Sequence, residues 1–249
     1  MITRCTITGL NDVGLILQVN GLFREFPFLE IGVPFSETRA GRENRFPSPG
    51  DVMAIVQQLE GPVALHVCGR AVENVILGNS QGSANSLARH EKVGRVQLNL
   101  NARAKWLPAP DIIDAAIRGF RKPVITQENS ANRDLNRQLT APNHQVLFDS
   151  SGGLGIAPEC WPKPIPGKAC GFAGGLGPQT IAEQIPLIEA AAGGDCAWID
   201  MEGRVRTEDD WLDLEKVAVV LKVVVDHIAR PAMNDTRPIL RECGRPRAA

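Results

Sequence analysis

Tyrosine is absent from this 249-residue chain, so any general acid or base must come from another residue type. No apolar run approaches the roughly 20 residues that a membrane-spanning helix needs, so no membrane partner is expected. Neither sign of charge is in excess. With 27 Lys+Arg against 28 Asp+Glu the net charge is −1, and no basic field marks nucleic acid as a partner. The six cysteines (Cys5, Cys68, Cys160, Cys170, Cys196, Cys243) form no C-x-x-C pair and no zinc spacing. Most of them sit in apolar, strand-like company, as buried free thiols do, which reads as a reduced, cytoplasmic setting. The start, "MITRCTITGL", holds no long apolar stretch and reads as a first strand rather than a signal peptide.

What is present is alternation. Short β-branched runs occupy 4–8, 28–35, 62–69, 95–101, 122–128, 144–150, 168–174 and 196–202. Amphipathic runs fall between them, clearest at 48–60, 108–120, 177–193 and 207–229. Two of these carry start signals: Ser48-Pro49, and Thr207 followed by acids. The polar stretch 70–92 is irregular, and a helix there has the weakest pattern. Eight βα units in about 230 residues predict a single (β/α)8 TIM barrel over 1–229. An open doubly wound sheet is the alternative, but no G-x-G-x-x-G follows the first strand. Residues 230–249, rich in Arg and Pro, read as a loosely packed tail, either plain surface or a grip on a partner subunit in a homodimer.

In such a barrel, function belongs at the C-terminal ends of the strands. Read in order, those ends supply Thr8, then Glu37 with Arg39, Arg42 and Arg45, then His66 and Cys68. Asn99 and Asn101, Gln127 and Asn129 follow, then Asp149, Gly174-Gly175, and Asp200 with Glu202. "AGGLGPQTIAEQI" is the most specific stretch: a strand stops at Gly174-Gly175 and a helix opens near Pro178. Unpaired N–H groups there, with Gly203 on the next loop, predict a phosphate site; the plainer reading is a pair of tight turns. Asp149, before Ser150-Ser151-Gly152, either caps a turn or faces a ligand as general acid or base. His66 shares a face with Ala64 and Cys68, and is either a buried, hydrogen-bonded imidazole or part of a site. His66, Asp149, Asp200 and Glu202 lack any local ligand pattern, so no metal or other cofactor is expected. No lysine stands at a strand's C-terminal end, which argues against a Schiff-base aldolase.

Laid out this way, the chain resembles the phosphoribosylanthranilate isomerase family over nearly its whole length. "LFDSSGGLG" resembles that family's strand-six segment, where an Asp precedes Gly-Gly-Thr-Gly, and "FAGGLGPQTIAEQI" resembles its strand-seven phosphate motif. "RVQLNLN" resembles its Val-Val-Gln-Leu-His segment, with Asn99 in place of His. The resemblance implies Asp149 as general acid in a sugar-opening isomerisation and Arg45 as the carboxylate-binding Arg. It also implies that Gly174, Gly175 and Gly203 hold phosphate, and that Thr8, Asn99 and Glu202 line the substrate site. Three departures stand out. Thr8 occupies the position of the family's catalytic Cys, and a hydroxyl does not supply a thiolate. The strand-six loop lacks the family's downstream Lys-Thr-Phe. Glu202-Gly203-Arg204 replaces a Ser-Ser-Gly phosphate loop, so Arg204 or Arg206 must offset the added acid. Cys68, His66 and Asp200 are the candidate substitute bases. The expected ligand is a phosphorylated sugar or nucleotide-like small molecule, turned over by an isomerase or held by a barrel without catalysis.

Overall fold

The computed structural model describes residues 1–79, 83–100, 107–129, 132–150, 152 and 154–229. Eight parallel strands follow one another around a closed barrel: β1 (Ile2–Thr8), β2 (Leu29–Phe35), β3 (Val63–Cys68), β4 (Val93–Asn99), β5 (Val124–Glu128), β6 (His144–Asp149), β7 (Cys170–Ala173) and β8 (Ala197–Met201). Each matches an expected strand to within two residues at its start and at its end. The helices described between and after them are α1 (Ile16–Glu25), α2 (Pro49–Gln58), α3 (Arg70–Ile76), α4 (Ser83–Arg89), α5 (Pro110–Arg118), α6 (Arg133–Gln138), α7 (Ile181–Ala192) and α8 (Leu214–Ala229). The stretch 70–92, weak in pattern, holds two short helices instead of one. No described helix is long and apolar enough to cross a membrane. The expected tail at 230–249 lies outside the described residues.

Helix starts show where local signals win. Ser48 caps α2, its hydroxyl accepting from the Asp51 N–H at 3.2 Å, with Pro49 at the first position. The expected start of α8 at Thr207 is wrong by several residues. Thr207 instead closes a turn with Trp211, and Asp213 accepts from the N–H groups of Glu215 and Lys216 at 3.1 Å each. The opening of α7 is also later than Pro178 suggests. Residues 177–180 form a turn in which Thr180 and Ile181 N–H both donate to the Gly177 carbonyl, and α7 begins at Ile181.

The main core lies between sheet and helices, where alternate strand residues such as Ile7, Ile31, Val33, Leu65, Val67, Val96, Leu98 and Phe172 are all sealed from solvent. The barrel's interior is different. Among the described residues it holds one small apolar cluster, Ile125, Leu147, Ala173 and Trp198. Beside it lies a buried ion pair, Glu30 with Arg95, and Arg95 stacks over Trp198 at 4.5 Å. Gly171 makes room for that indole, since a Cβ there would meet the Trp198 ring at 2.1 Å. Cys5, Cys68, Cys170 and Cys196 are free thiols, with Cys196 exposed rather than buried. Cys160 is disulfide-bonded and so stands apart from the free thiols expected of most of the cysteines.

Candidate active site

Strand register sets the site. Asp149 of β6 and Asp200 of β8 both pair with Ala173 of β7, so the two carboxyl groups stand level on either side of one residue. With neighbouring strands about 4.8 Å apart, their backbones are separated by roughly 9–10 Å. Both side chains line a cavity of about 170 Å³ at the C-terminal mouth, together with Arg45, His66, Gln97, Asn99, Gln127, Glu202 and Arg204. Gly174, Gly175 and Gly203 form part of the same wall.

Thr8 does not line this cavity. It is buried behind Asp200, to which its hydroxyl donates at 2.8 Å, and Gly32 opens the space it fills. The Asp200 carboxyl is pushed up to about 8, first by burial, against the pull of the Thr8 hydrogen bond. His66 is equally enclosed. Burial and the charge of Arg95 lower it to about 3, so it is a neutral imidazole at neutral pH. Its Nε2 lies 3.9 Å from Asp200 Oδ2 and has no hydrogen-bond partner among the described residues. Gln97 donates to Asn99 at 2.9 Å and leaves its own buried Oε1 unpaired among the described residues. Cys68 also stands outside the cavity wall. Asn99 donates to its sulfur at 3.0 Å, and burial raises the thiol to about 11. A thiol so raised stays protonated at neutral pH.

Of the expected polar ring on the loop after β2, only Arg45 reaches the cavity. Glu37 accepts from Asn74 at 2.6 Å, and Arg39 lies over Phe46. Arg45 forms a two-pronged pair with Asp210, both bonds 2.9 Å, and approaches Glu202 at 3.4 Å. Asp210 was not legible as a site residue. It belongs to the acidic run after Thr207 that reads as a helix start, and only the folded loop carries it to Arg45. Asn101 lies outside the described residues.

The glycines have two separate reasons. Gly174 and Gly175 have φ values of 111° and 66°, and the segment Ile156–Ala157 packs against them. A Cβ on Gly175 would meet the Ala157 nitrogen at 2.5 Å. Gly203 faces open space. Among the described residues, the N–H groups of Gly175, Leu176, Gly203 and Arg204 find no hydrogen-bond partner. Arg206 approaches Glu202 and Asp210 at 3.6 Å each, whereas Arg204 forms no ion pair among the described residues.

No protein-family model matches the chain, and no curated protein matches it. Solved structures do. Monomers of the dimeric phosphoribosylanthranilate isomerase from Thermotoga maritima superpose with a TM-score of 0.59 at 17% identity, over 90% of this chain and 99% of that one. The isomerase of that name from Thermococcus kodakaraensis gives 0.55 at 12% identity, over 89% and 98%. A truncated 3-deoxy-D-arabino-heptulosonate 7-phosphate synthase from Thermotoga maritima gives 0.57 at 10%, over 92% and 87%. In fold, the chain is a phosphoribosylanthranilate isomerase-like barrel. At these identities the likeness is one of architecture, and fold does not fix chemistry.

Proposed function

We propose that this phosphoribosylanthranilate isomerase-like barrel binds a phosphorylated sugar or nucleotide-like small molecule and isomerises it by proton transfer. The observation that carries the reading is the pair Asp149 and Asp200, level with each other across Ala173 on one cavity wall. Two carboxyl groups that reach one ligand at separate positions can divide the roles of acid and base between them. Asp200 is the best of the three candidate bases. With its carboxyl near 8, Asp200 is mostly protonated at neutral pH, but its ionised form gains population as pH rises towards 8 and is a stronger base than an ordinary carboxylate. Turnover should therefore rise over that range. Cys68, near 11, holds its proton well beyond it, and His66 scarcely accepts one. In this reading Asp200 removes a proton beside a carbonyl or imine, and Asp149 delivers one to the ring oxygen. Thr8, in place of the family's Cys, orients Asp200 instead of reacting. The phosphate sits against the unpaired amides of Gly175, Gly203 and Arg204, with the Arg204 guanidinium above it.

Ribose 5-phosphate, screened by thermal shift with other phosphosugars, tests the binding half, because a ligand of the native state raises the melting temperature. Gly203→Val and Arg204→Ala should each abolish the shift. Gly175 is a poor test site, since Ala157 fills the space that a side chain would need. For the chemical half, Asp149→Asn and Asp200→Asn should each lower turnover by about 10²–10⁴-fold while leaving binding. A second reading, a barrel that binds without catalysis, is favoured by one observation: the arginine implied for a substrate carboxylate is already engaged by Asp210. Tight binding of a phosphosugar with no turnover of any would select it.

A further inference from the structure

Two arginines and two carboxylates close on one another at the rim of the cavity. Arg45 Nε and Nη2 donate to the two oxygens of Asp210, and Arg45 Nη1 approaches Glu202 at 3.4 Å. Arg206, 1% exposed at its side chain, approaches the same two acids. The four formal charges sum to zero. The Arg45 guanidinium is held charged first by its hydrogen bonds to Asp210. Asp210 is pushed up by burial, but the Arg45 hydrogen bond and the Arg206 charge outweigh that and hold it below the usual carboxylate range.

Asp210 is also fixed through its backbone. Its carbonyl accepts from Asn11 at 3.2 Å and from Arg206 at 2.7 Å, and Asn44 donates to the adjacent Asp209 carbonyl at 2.9 Å. Its φ of 66° is the only positive value at a described residue other than glycine. Three loops therefore hold one carboxylate, in an uncommon backbone conformation, against the planar fork of Arg45.

We propose that Asp210 is a specificity-determining residue: it fills the Arg45 fork, so the cavity admits a phosphorylated sugar without a carboxylate and turns away one that carries it. The proposal rests on the phosphosugar reading above for its ligand class. An incoming carboxylate would have to break a two-pronged pair and then sit beside Glu202 and the displaced Asp210. Like charges at such distances repel strongly when half-buried. Arg204, the other arginine on the wall, forms no ion pair among the described residues, so it is placed to meet a phosphate while the Arg45 fork is already filled.

Calorimetric titration of the full chain with two probes, benzoate and ribose 5-phosphate, tests this. Asp210→Gly keeps the positive φ without strain, and Asp210→Asn keeps the shape while dropping the charge. Benzoate should bind both variants at least about tenfold more tightly than the parent. Adding Arg45→Met should erase that gain. Ribose 5-phosphate should bind parent and single variants within about twofold, its phosphate being held elsewhere. Benzoate binding the parent as tightly as the variants, or a gain that survives Arg45→Met, overturns the proposal. So does the absence of any gain in a folded Asp210→Asn protein. Ribose 5-phosphate failing against all of them would sink the phosphosugar reading instead, and the benzoate titrations would still decide whether Asp210 guards Arg45.

Discussion

Asp200 and His66 face each other across 3.9 Å with opposite shifts, and each makes stability depend on pH. The folded Asp200 keeps its proton up to about pH 8, whereas the unfolded one loses it near 4. Between those values the native state binds more protons, so this contribution to stability is full below about pH 4 and falls as pH rises towards 8. Thr8, Glu202, Arg95 and Glu30 all act on that carboxyl, with the neutral His66 facing it; Thr8 and the arginine favour its ionised form, and the two glutamates oppose it. Asp200→Asn should therefore be more stable than the parent at pH 8, by on the order of 1 kcal/mol or more. The difference should shrink towards pH 4, and urea unfolding at both values checks it. An unchanged difference would mean that Asp200 ionises normally. The sequence marked Asp200, His66 and Asp149 because strand ends were legible from period-2 runs. The place of Thr8 behind Asp200 was not legible, because the opening left by Gly32 and the reach to β8 exist only once the barrel has closed.

At the scale of elements, a start signal is only as good as the side chains free to serve it. Thr207 and the acids after it satisfy the usual pattern for a helix start, yet Thr207 closes a turn with Trp211 and Asp210 is taken by Arg45. Asp213 is left to cap α8, and Lys216 pairs with it at 3.2 Å. Asp213→Ala should destabilise the protein by about 0.5–2 kcal/mol, as loss of a cap does. Thr207→Ala should cost less, since its hydroxyl accepts only one exposed N–H. Equal losses in thermal melts would return the helix start to Thr207. The same competition explains α7, where Thr180 spends its hydroxyl on the Gly175 carbonyl at 2.7 Å, bracing the turn before the helix. All eight strands were readable because burial imposes its period over several residues. Caps were not, because one tertiary contact is enough to move them.

Closure of the whole barrel leaves a polar cluster inside it that joins five strands. Arg95 of β4 donates to both carboxylate oxygens of Glu30 on β2, and Thr6 of β1 donates to the same Glu30 at 3.0 Å. Arg95 reaches Gln145 of β6 at 3.3 Å and lies over Trp198 of β8, while Arg4 pairs with Glu30 from the rim at 3.2 Å. Nothing in the strand pattern announces this pairing, since Glu30 and Arg95 lie 65 residues apart, each alone in charge within its strand-like run. A buried pair gains Coulomb energy but loses two hydration shells, so its net worth is small, whereas half of it left alone is costly. Glu30→Leu should destabilise the barrel by about 3–5 kcal/mol, because Arg95 would keep only Thr6, Gln145 and the indole. Arg95→Met should cost less, since Arg4 still faces Glu30. The double variant, Glu30→Leu with Arg95→Met, should recover to within about 1–2 kcal/mol of the parent in urea unfolding, as apolar groups of similar volume fill the space. A double variant as unstable as the two single losses summed would mean that the interior depends on the shape of these side chains rather than on their charge. In that case the ladder of contacts from Thr6 to Trp198 would be packing, and the short apolar cluster of Ile125, Leu147, Ala173 and Trp198 would have to extend through it to hold the barrel closed.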